Sequence, residues 1–244
     1  MFRNFFQSVL MMLVLTGTAG AAILSDNLTG GTVGASLMGY PLDTGGVFWD
    51  NTRTDNANAM NGDFIFASGG GVKALNDSAA NVYTTFNAAA QTNGYTLSAQ
   101  FKANGYSGLD FYLGLAGAID KGFFQNLTSS DVVRLAYHVG GTSAGTFDWG
   151  VFIQGVSQNS DSSTLTVTNI PKTNDVIQLS ITCFPAYGLI TGVATNVTGG
   201  YEISSSRIAL STFCPTNMLY AGLEWYRGEQ CRVARAADFV QCGH

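Results

Sequence analysis

The feature that most constrains the fold is the alternation of apolar and polar residues, which recurs along most of the chain. In GYTLSAQFKA, residues 94–103, one face of the pattern holds Tyr95, Leu97, Ala99 and Phe101. Successive side chains of a β-strand point to opposite faces, so this segment is predicted to be a strand with one buried face. No segment shows sustained helical periodicity, and an all-β protein is therefore predicted.

Further strands are predicted by the same alternation, and turn signals separate them. The strongest segments are GLDFYLGLAG, DVVRLAYHVG, FDWGVFIQGV, DVIQLSITCF and NMLYAGLEWYRG, and the weaker ones are VFWD, DFIFAS, VYTTF and STLTVT. Gly199-Gly200 is typical of a tight hairpin loop, and residues 185–188 mark another turn. About a dozen short strands, each with one apolar face, predict two packed antiparallel sheets. Because no linker or repeat interrupts them, we predict a single β-sandwich domain.

The first residues have the pattern of a secretory signal peptide. Arg3 precedes an apolar run, and Ala19-Gly20-Ala21 supplies a small-residue cleavage site. A membrane anchor is the alternative, but the run from Val9 to Leu24 has 16 residues, fewer than the roughly 20 that span a bilayer. We therefore expect cleavage after Ala21, a domain over residues 22–244, and no membrane insertion after cleavage. The expected location is extracellular or periplasmic, either secreted or at the cell surface.

The charge balance bears on the kind of partner. The chain has 11 Lys and Arg residues against 16 Asp and Glu residues, a net charge of −5. Nucleic-acid binding needs a basic stripe or patch, and the sequence has no Lys/Arg cluster. We expect no nucleic-acid partner.

Four cysteines lie in the last quarter of the chain, at Cys183, Cys214, Cys231 and Cys242. An even number of cysteines in an exported protein predicts disulfides, with three possible connectivities. The first choice pairs neighbours in sequence, Cys183 with Cys214 and Cys231 with Cys242. A zinc site is disfavoured because close cysteine pairs are missing.

Residues 23–49, ILSDNLTGGTVGASLMGYPLDTGGVFW, precede a Gly/Asn-rich loop and then YTLSAQFKANGYSGLDFYLGLAG, residues 95–117. This arrangement resembles the opening of exported bacterial proteins of the concanavalin A-like lectin/glucanase class. The resemblance implies a laminin-G-like jelly roll, a form of β-sandwich that fits the strand pattern. Members of the class include sugar binders, glycosidases and domains with no known ligand, so the fold alone implies no activity.

A sugar site needs aromatic faces that stack on the ring and planar polar groups that bond its hydroxyls. The polar positions of the predicted strands supply such groups, namely Tyr112, Arg134, His138, Gln154, Tyr220, Glu224 and Tyr226. If those strands share a sheet, these residues tile its outer face, which predicts a non-catalytic carbohydrate-binding or cell-surface module. The alternative is the ordinary polar side of an antiparallel sheet, in a structural surface or matrix protein without a small ligand.

Catalysis has weaker support. Glycosidases of the class carry acidic residues in an E-x-D-x-x-E pattern, which is absent here, and hydrolysis needs two carboxyls at roughly 5–9 Å. Glu224 is the best-placed glutamate, and a glycoside hydrolase that uses it is a further alternative. A Ser–His–Asp triad has only His138 and the terminal His244 to draw on. We assign no catalytic residue.

The segment from Asp43 to Asp63 is rich in Asp and Asn, whose oxygens calcium prefers. Candidate ligands are Asp50, Asp55 and Asp63. The spacing fails the EF-hand pattern, and a polar loop is the competing interpretation. Apart from calcium at these residues, no cofactor is expected.

Overall fold

A computed structural model gives the fold of the 244-residue chain. It describes residues 13–17, 22–50, 61–62, 64–74, 79–91, 94–102, 109–118, 131–138, 146–153, 156–157, 165–166, 174–209 and 218–227. In these ranges the regular structure is β-strand, apart from two three-residue 3-10 turns at Ala88–Ala90 and Pro185–Tyr187. No helix in this part of the chain is long and apolar enough to cross a membrane.

The strands are numbered in chain order. They are β1 (Leu13–Gly17), β2 (Ala22–Asp26), β3 (Asn61–Gly62), β4 (Phe64–Phe66), β5 (Val72–Ala74), β6 (Ala79–Thr85), β7 (Tyr95–Lys102), β8 (Leu109–Ala116), β9 (Val132–His138), β10 (Thr146–Ile153), β11 (Val156–Ser157), β12 (Leu165–Thr166), β13 (Val176–Phe184), β14 (Leu189–Asn196), β15 (Tyr201–Ala209) and β16 (Tyr220–Arg227).

Two sheets make up most of the fold. The first has six strands in the order β15-β14-β13-β7-β1-β2, and the second has the order β11-β10-β9-β8-β16-β6-β3, with β12 also paired to β10. All pairs are antiparallel except β3 with β6, while β4 and β5 form a separate hairpin. The predicted Gly199-Gly200 hairpin loop joins β14 to β15, as expected from the sequence.

The main core lies between the two sheets. Leu97 on β7 and Leu179 on β13 belong to the same buried cluster as Leu113 on β8. Phe101 and Phe111 link the sheets directly, because their rings stack with centroids 4.5 Å apart. The predicted fold class, an all-β sandwich of two antiparallel sheets of jelly-roll type, is confirmed.

The predicted apolar faces are confirmed wherever the structure describes the side chains, with one exception. Along β7 and β13, buried and half-buried residues alternate without interruption. The exception is Leu219: the alternation in NMLYAGLEWYRG predicts that it shares the apolar face of Ala221 and Leu223, but it is 49 % exposed. Leu219 precedes the first residue of β16, where the alternation of a strand no longer applies.

Residues 22–50 wrap along the sandwich and are held by a buried carboxylate. Trp49 is 1 % exposed and lies in the main core. Its indole N–H donates to Oδ2 of Asp26, and the backbone N–H of Leu28 donates to Oδ1 at 2.7 Å. Burial of the carboxyl group raises the pKa of Asp26 above its usual value. The two hydrogen bonds act in the opposite direction and lower the pKa, but the effect of burial is larger.

The disulfide prediction needs a correction at Cys183. This residue is a free thiol with no exposed surface, and it lies on the core-facing side of β13. The structure therefore does not form the bridge from Cys183 to Cys214. Cys214, Cys231 and Cys242 lie outside the described residues, and disulfides among them stay a prediction.

The segment predicted as a signal peptide contributes a strand. β1 pairs with β7 over Leu13 to Gly17 and with β2 on its other side. It thus lies inside the six-stranded sheet. Cleavage after Ala21 stays a prediction, and it would remove this strand.

Candidate functional site

The second sheet carries a small buried cluster on the face that points away from the main core. We call it the outer cluster. It consists of Tyr112, Ala116, Val132 and Ala136, with Tyr83 and Tyr220 packed against it. On β8 its members alternate with Phe111, Leu113 and Leu115 of the main core. The outer face predicted from the sequence therefore exists.

Four of the predicted ligand residues have described side chains, and all four lie on this face. They are Tyr112, Arg134, Tyr220 and Glu224. The guanidinium of Arg134 lies over the ring of Tyr112, with Cζ 5.5 Å from the ring centroid. Tyr83 and Tyr220 meet edge to face at 5.6 Å. Both arrangements are favourable for aromatic rings and fix the side chains against the sheet.

Glycines make room for these long side chains. Tyr83 lies opposite Gly222 on β16, and Arg134 lies opposite Gly114 on β8. A glycine has no side chain, so it leaves space that the residue on the neighbouring strand can fill. Across the neighbouring strands β6, β16, β8 and β9, the residues that lie opposite one another are therefore Tyr83, Gly222, Gly114 and Arg134. Two glycines separate the two bulky side chains.

Glu224 is more deeply buried than its sequence pattern indicated. Its polar position on the strand predicts a place on the outer face of the sheet, yet its exposed fraction is 0 %. It lies between Asn81 on β6, also fully buried, and Tyr112 on β8. The pattern of a strand predicts which face a residue shares, but not whether that face is covered. A carboxyl group with no exposed surface cannot contact a substrate unless its covering residues move.

The remaining predicted ligand residues are placed less fully. His138 and Tyr226 both lie opposite Asp110 on β8, and their positions are on the outer face by register. Gln154 lies outside the described residues. The structure therefore places six of the seven residues on one sheet, and the role of all seven as ligand residues stays a prediction.

An open groove of about 470 Å³ adjoins the outer cluster at β6. Its lining includes Met38, Phe48, Asp50, Tyr83 and Thr85. Phe48 is 59 % exposed and Met38 is 54 % exposed, so the groove presents two large apolar side chains to solvent. We call this feature the β6 groove.

Residues 47–50 form one wall of the β6 groove. The predicted VFWD strand is reduced to isolated bridges, Phe48 with Pro41 and Asp50 with Tyr83. The backbones of Asp50 and Tyr83 exchange two hydrogen bonds: the N–H of Asp50 donates to the carbonyl of Tyr83 at 2.8 Å, and the N–H of Tyr83 donates to that of Asp50 at 2.9 Å. Since neighbouring side chains point in opposite directions, the burial of Trp49 turns Phe48 and Asp50 toward solvent.

Asp50 and Tyr83 also interact through their side chains. The phenol of Tyr83 donates to Oδ2 of Asp50 at 3.0 Å. Burial of the phenol and this hydrogen bond raise the pKa of Tyr83 to about 12, so the group stays protonated at neutral pH. The groove therefore presents an exposed aromatic ring beside a carboxylate and a phenolic hydroxyl.

Of the three predicted calcium ligands, only Asp50 lies among the described residues. Asp50 is exposed and bonded to Tyr83, whereas Asp55 and Asp63 lie outside the described residues. Within the described part of the chain, no group of three or more His, Cys, Asp and Glu residues is placed to hold a metal ion. A calcium site that uses Asp50, Asp55 and Asp63 stays a prediction.

Sequence reasoning missed Phe48 and Tyr83. The alternation in VYTTF predicts only a weak strand, and VFWD contains two adjacent aromatic residues that fit either face. The alternation of Phe48 and Asp50 around Trp49 was the available signal. It becomes decisive only once Trp49 is known to be buried.

Comparison with known proteins reveals similarity only among solved structures. No protein-family model matches the chain, and no curated protein matches it. A basic winged bean lectin with Tn-antigen has a TM-score of 0.44 at 10 % identity, over 75 % of this chain and 88 % of that one. Lectin II from Ulex europaeus has a TM-score of 0.41 at 12 % sequence identity, and the match covers 81 % of this chain and 92 % of that one.

A scytalido-glutamic peptidase with a transition-state analogue inhibitor has a TM-score of 0.32 at 19 % identity, over 56 % of this chain. The chain spans only 60 % of the length of that peptidase. These scores are too low to transfer binding or catalysis. The strands and their register define the class of the protein, which is a two-sheet antiparallel β-sandwich of jelly-roll type.

Proposed function

We propose that the chain is an exported, non-catalytic carbohydrate-binding module whose site is the β6 groove. The observation that carries the proposal is the exposed ring of Phe48 beside the hydrogen-bonded pair of Asp50 and Tyr83. An aromatic face stacks on the C–H groups of a sugar ring, while a carboxylate accepts hydrogen bonds from its hydroxyls. The glycan is the expected partner, outside the cell or in the periplasm, and calcium is its candidate cofactor.

Tyr83 extends the proposed site toward the outer cluster. Its ring contacts Tyr220, which is half-buried and therefore offers part of its surface to a ligand. A second sugar unit of a chain bound in the groove would meet Tyr220 next. Tyr112 belongs to the outer cluster, against which Tyr83 and Tyr220 pack, and it is 7 % exposed, while Glu224 is 0 % exposed.

The test is a glycan array with the purified chain, with and without calcium, followed by titration of any ligand found. Phe48→Ala and Asp50→Asn are each expected to weaken binding about tenfold or more, a change of about 1.4 kcal/mol. Tyr187→Ala is the matched control, because Tyr187 is 80 % exposed and lies on a turn of the other sheet. Equal losses in all three variants would argue against the groove.

Two alternatives have distinct outcomes in the same experiments. No binding on a broad array would favour a structural surface or matrix protein. Release of reducing sugar that Glu224→Gln abolishes would favour a glycoside hydrolase. The buried position of Glu224 is the observation against the latter.

A further inference from the structure

The N-terminal strand β1 occupies a position that an exported chain would lose. It lies between β7 and β2 and pairs with both. Cleavage after Ala21 would leave β2 in the chain and take β1 away. The backbone groups of β7 and β2 that face β1 would then lose their partners, which is costly for a strand inside a sheet.

β2 is held in place by contacts outside the sheet. Asp26, at the end of β2, binds the indole of Trp49 and the backbone of Leu28. The backbone of Ser25 exchanges hydrogen bonds with Thr44. The C-terminal end of β2, at Ser25 and Asp26, is therefore anchored about two strand spacings, roughly 9.6 Å, from β7. Removal of β1 leaves a gap that is one strand wide and has a hydrogen-bonding edge on each side.

The side-chain pattern of the gap is equally defined. Leu13 lies opposite Ala99 and Leu15 lies opposite Leu97, both of which are fully buried on the core side of β7. Leu15 also lies opposite Leu24 of β2, which is 5 % exposed. Val14 lies opposite Ser98, on the other face. A strand in the gap must therefore carry apolar residues at the positions of Leu13 and Leu15, while the position of Val14 tolerates polar residues.

We propose that the gap between β7 and β2 is a strand-acceptor site, which binds an extended apolar peptide segment antiparallel to residues 95–99 once the leader is removed. Main-chain hydrogen bonds to both edges supply affinity, and the two core-facing positions supply selectivity, as in other cases of strand addition to a sheet. The site lies in the six-stranded sheet, whereas the β6 groove adjoins the eight-stranded one. Strand binding is thus independent of the proposed glycan binding.

The test uses the full chain expressed with secretion, its N-terminus read by intact mass, and a fluorescent synthetic peptide of residues 11–18. Binding is measured by anisotropy and by the shift in Tm. The peptide is expected to bind and to raise Tm. A peptide with Val14→Thr is expected to bind within a few fold of it, and one with Leu13→Asp and Leu15→Asp at least about tenfold more weakly.

Because only the peptides are altered, folding of the protein does not confuse the result. The proposal is wrong if no peptide binds or if all three bind alike. It is also wrong if the secreted chain retains residues 13–17, since the gap is then filled. None of these outcomes depends on whether a glycan binds.

Discussion

At the scale of single residues, Asp26 is the buried carboxylate that holds the segment of residues 22–50 in place. It is 1 % exposed and accepts hydrogen bonds from the indole of Trp49 and the backbone of Leu28. The wrap that places Phe48 and Asp50 in the β6 groove depends on the position of Trp49. Gly31 adds to the precision of this wrap, because a Cβ atom there would collide with the ring of Phe66.

The raised pKa of Asp26 predicts how stability changes with pH. The folded protein holds the proton of Asp26 more tightly than the unfolded chain, where the carboxyl titrates near 3.8. The free energy of unfolding should therefore rise, relative to that of Asp26→Asn, as the pH falls from 7 through the folded pKa. The gain should level off below 3.8. Urea unfolding of both proteins over a pH series measures the difference, and a difference that does not change with pH would contradict the prediction.

At the scale of elements, alternation predicts the cost of substitutions within one strand. On β7, Leu97 is fully buried between the sheets, whereas the hydroxyl of neighbouring Thr96 bonds that of Thr182 at 2.9 Å on the other face. Leu97→Ala should lower the free energy of unfolding by about 2–5 kcal/mol, because it leaves a cavity. Thr96→Ala should lower it by about 1 kcal/mol, the usual worth of one hydrogen bond. Urea denaturation measures both losses in the free energy of unfolding. Equal losses for the two variants would contradict the prediction that only one face of β7 is buried in the core.

The same elements mark how far the sequence was informative. β7 and β13 were predicted with the right faces because their alternation is uninterrupted over eight and nine residues. The groove was not predicted, since its shape depends on the pairing of Asp50 with Tyr83, which are distant in sequence. β1 was missed for another reason. An apolar run such as Leu13-Val14-Leu15 suits a leader and a buried strand equally well.

At the scale of the whole molecule, Cys183 reports on whether the two sheets separate. It is fully buried on the core-facing side of β13, in the same cluster as Leu113 of the opposite sheet. Burial raises the pKa of its thiol to about 12 from 9.0, despite an opposing hydrogen bond with Tyr95. Alkylation requires the thiolate, so the folded protein should resist it at pH 8.

Pulse alkylation with iodoacetamide, read on the Cys183 peptide by mass spectrometry, is therefore expected to follow global unfolding. Labelling should be negligible in buffer and should rise across the same urea range as the loss of β-sheet circular dichroism, since one shared core favours a cooperative transition. Labelling that begins well before this transition would indicate that the six-stranded sheet opens locally. Labelling that requires a reductant even in full denaturant would show that Cys183 forms a disulfide after all. A free, buried thiol gives neither result, because unfolding alone both exposes it and returns its pKa to the ordinary range.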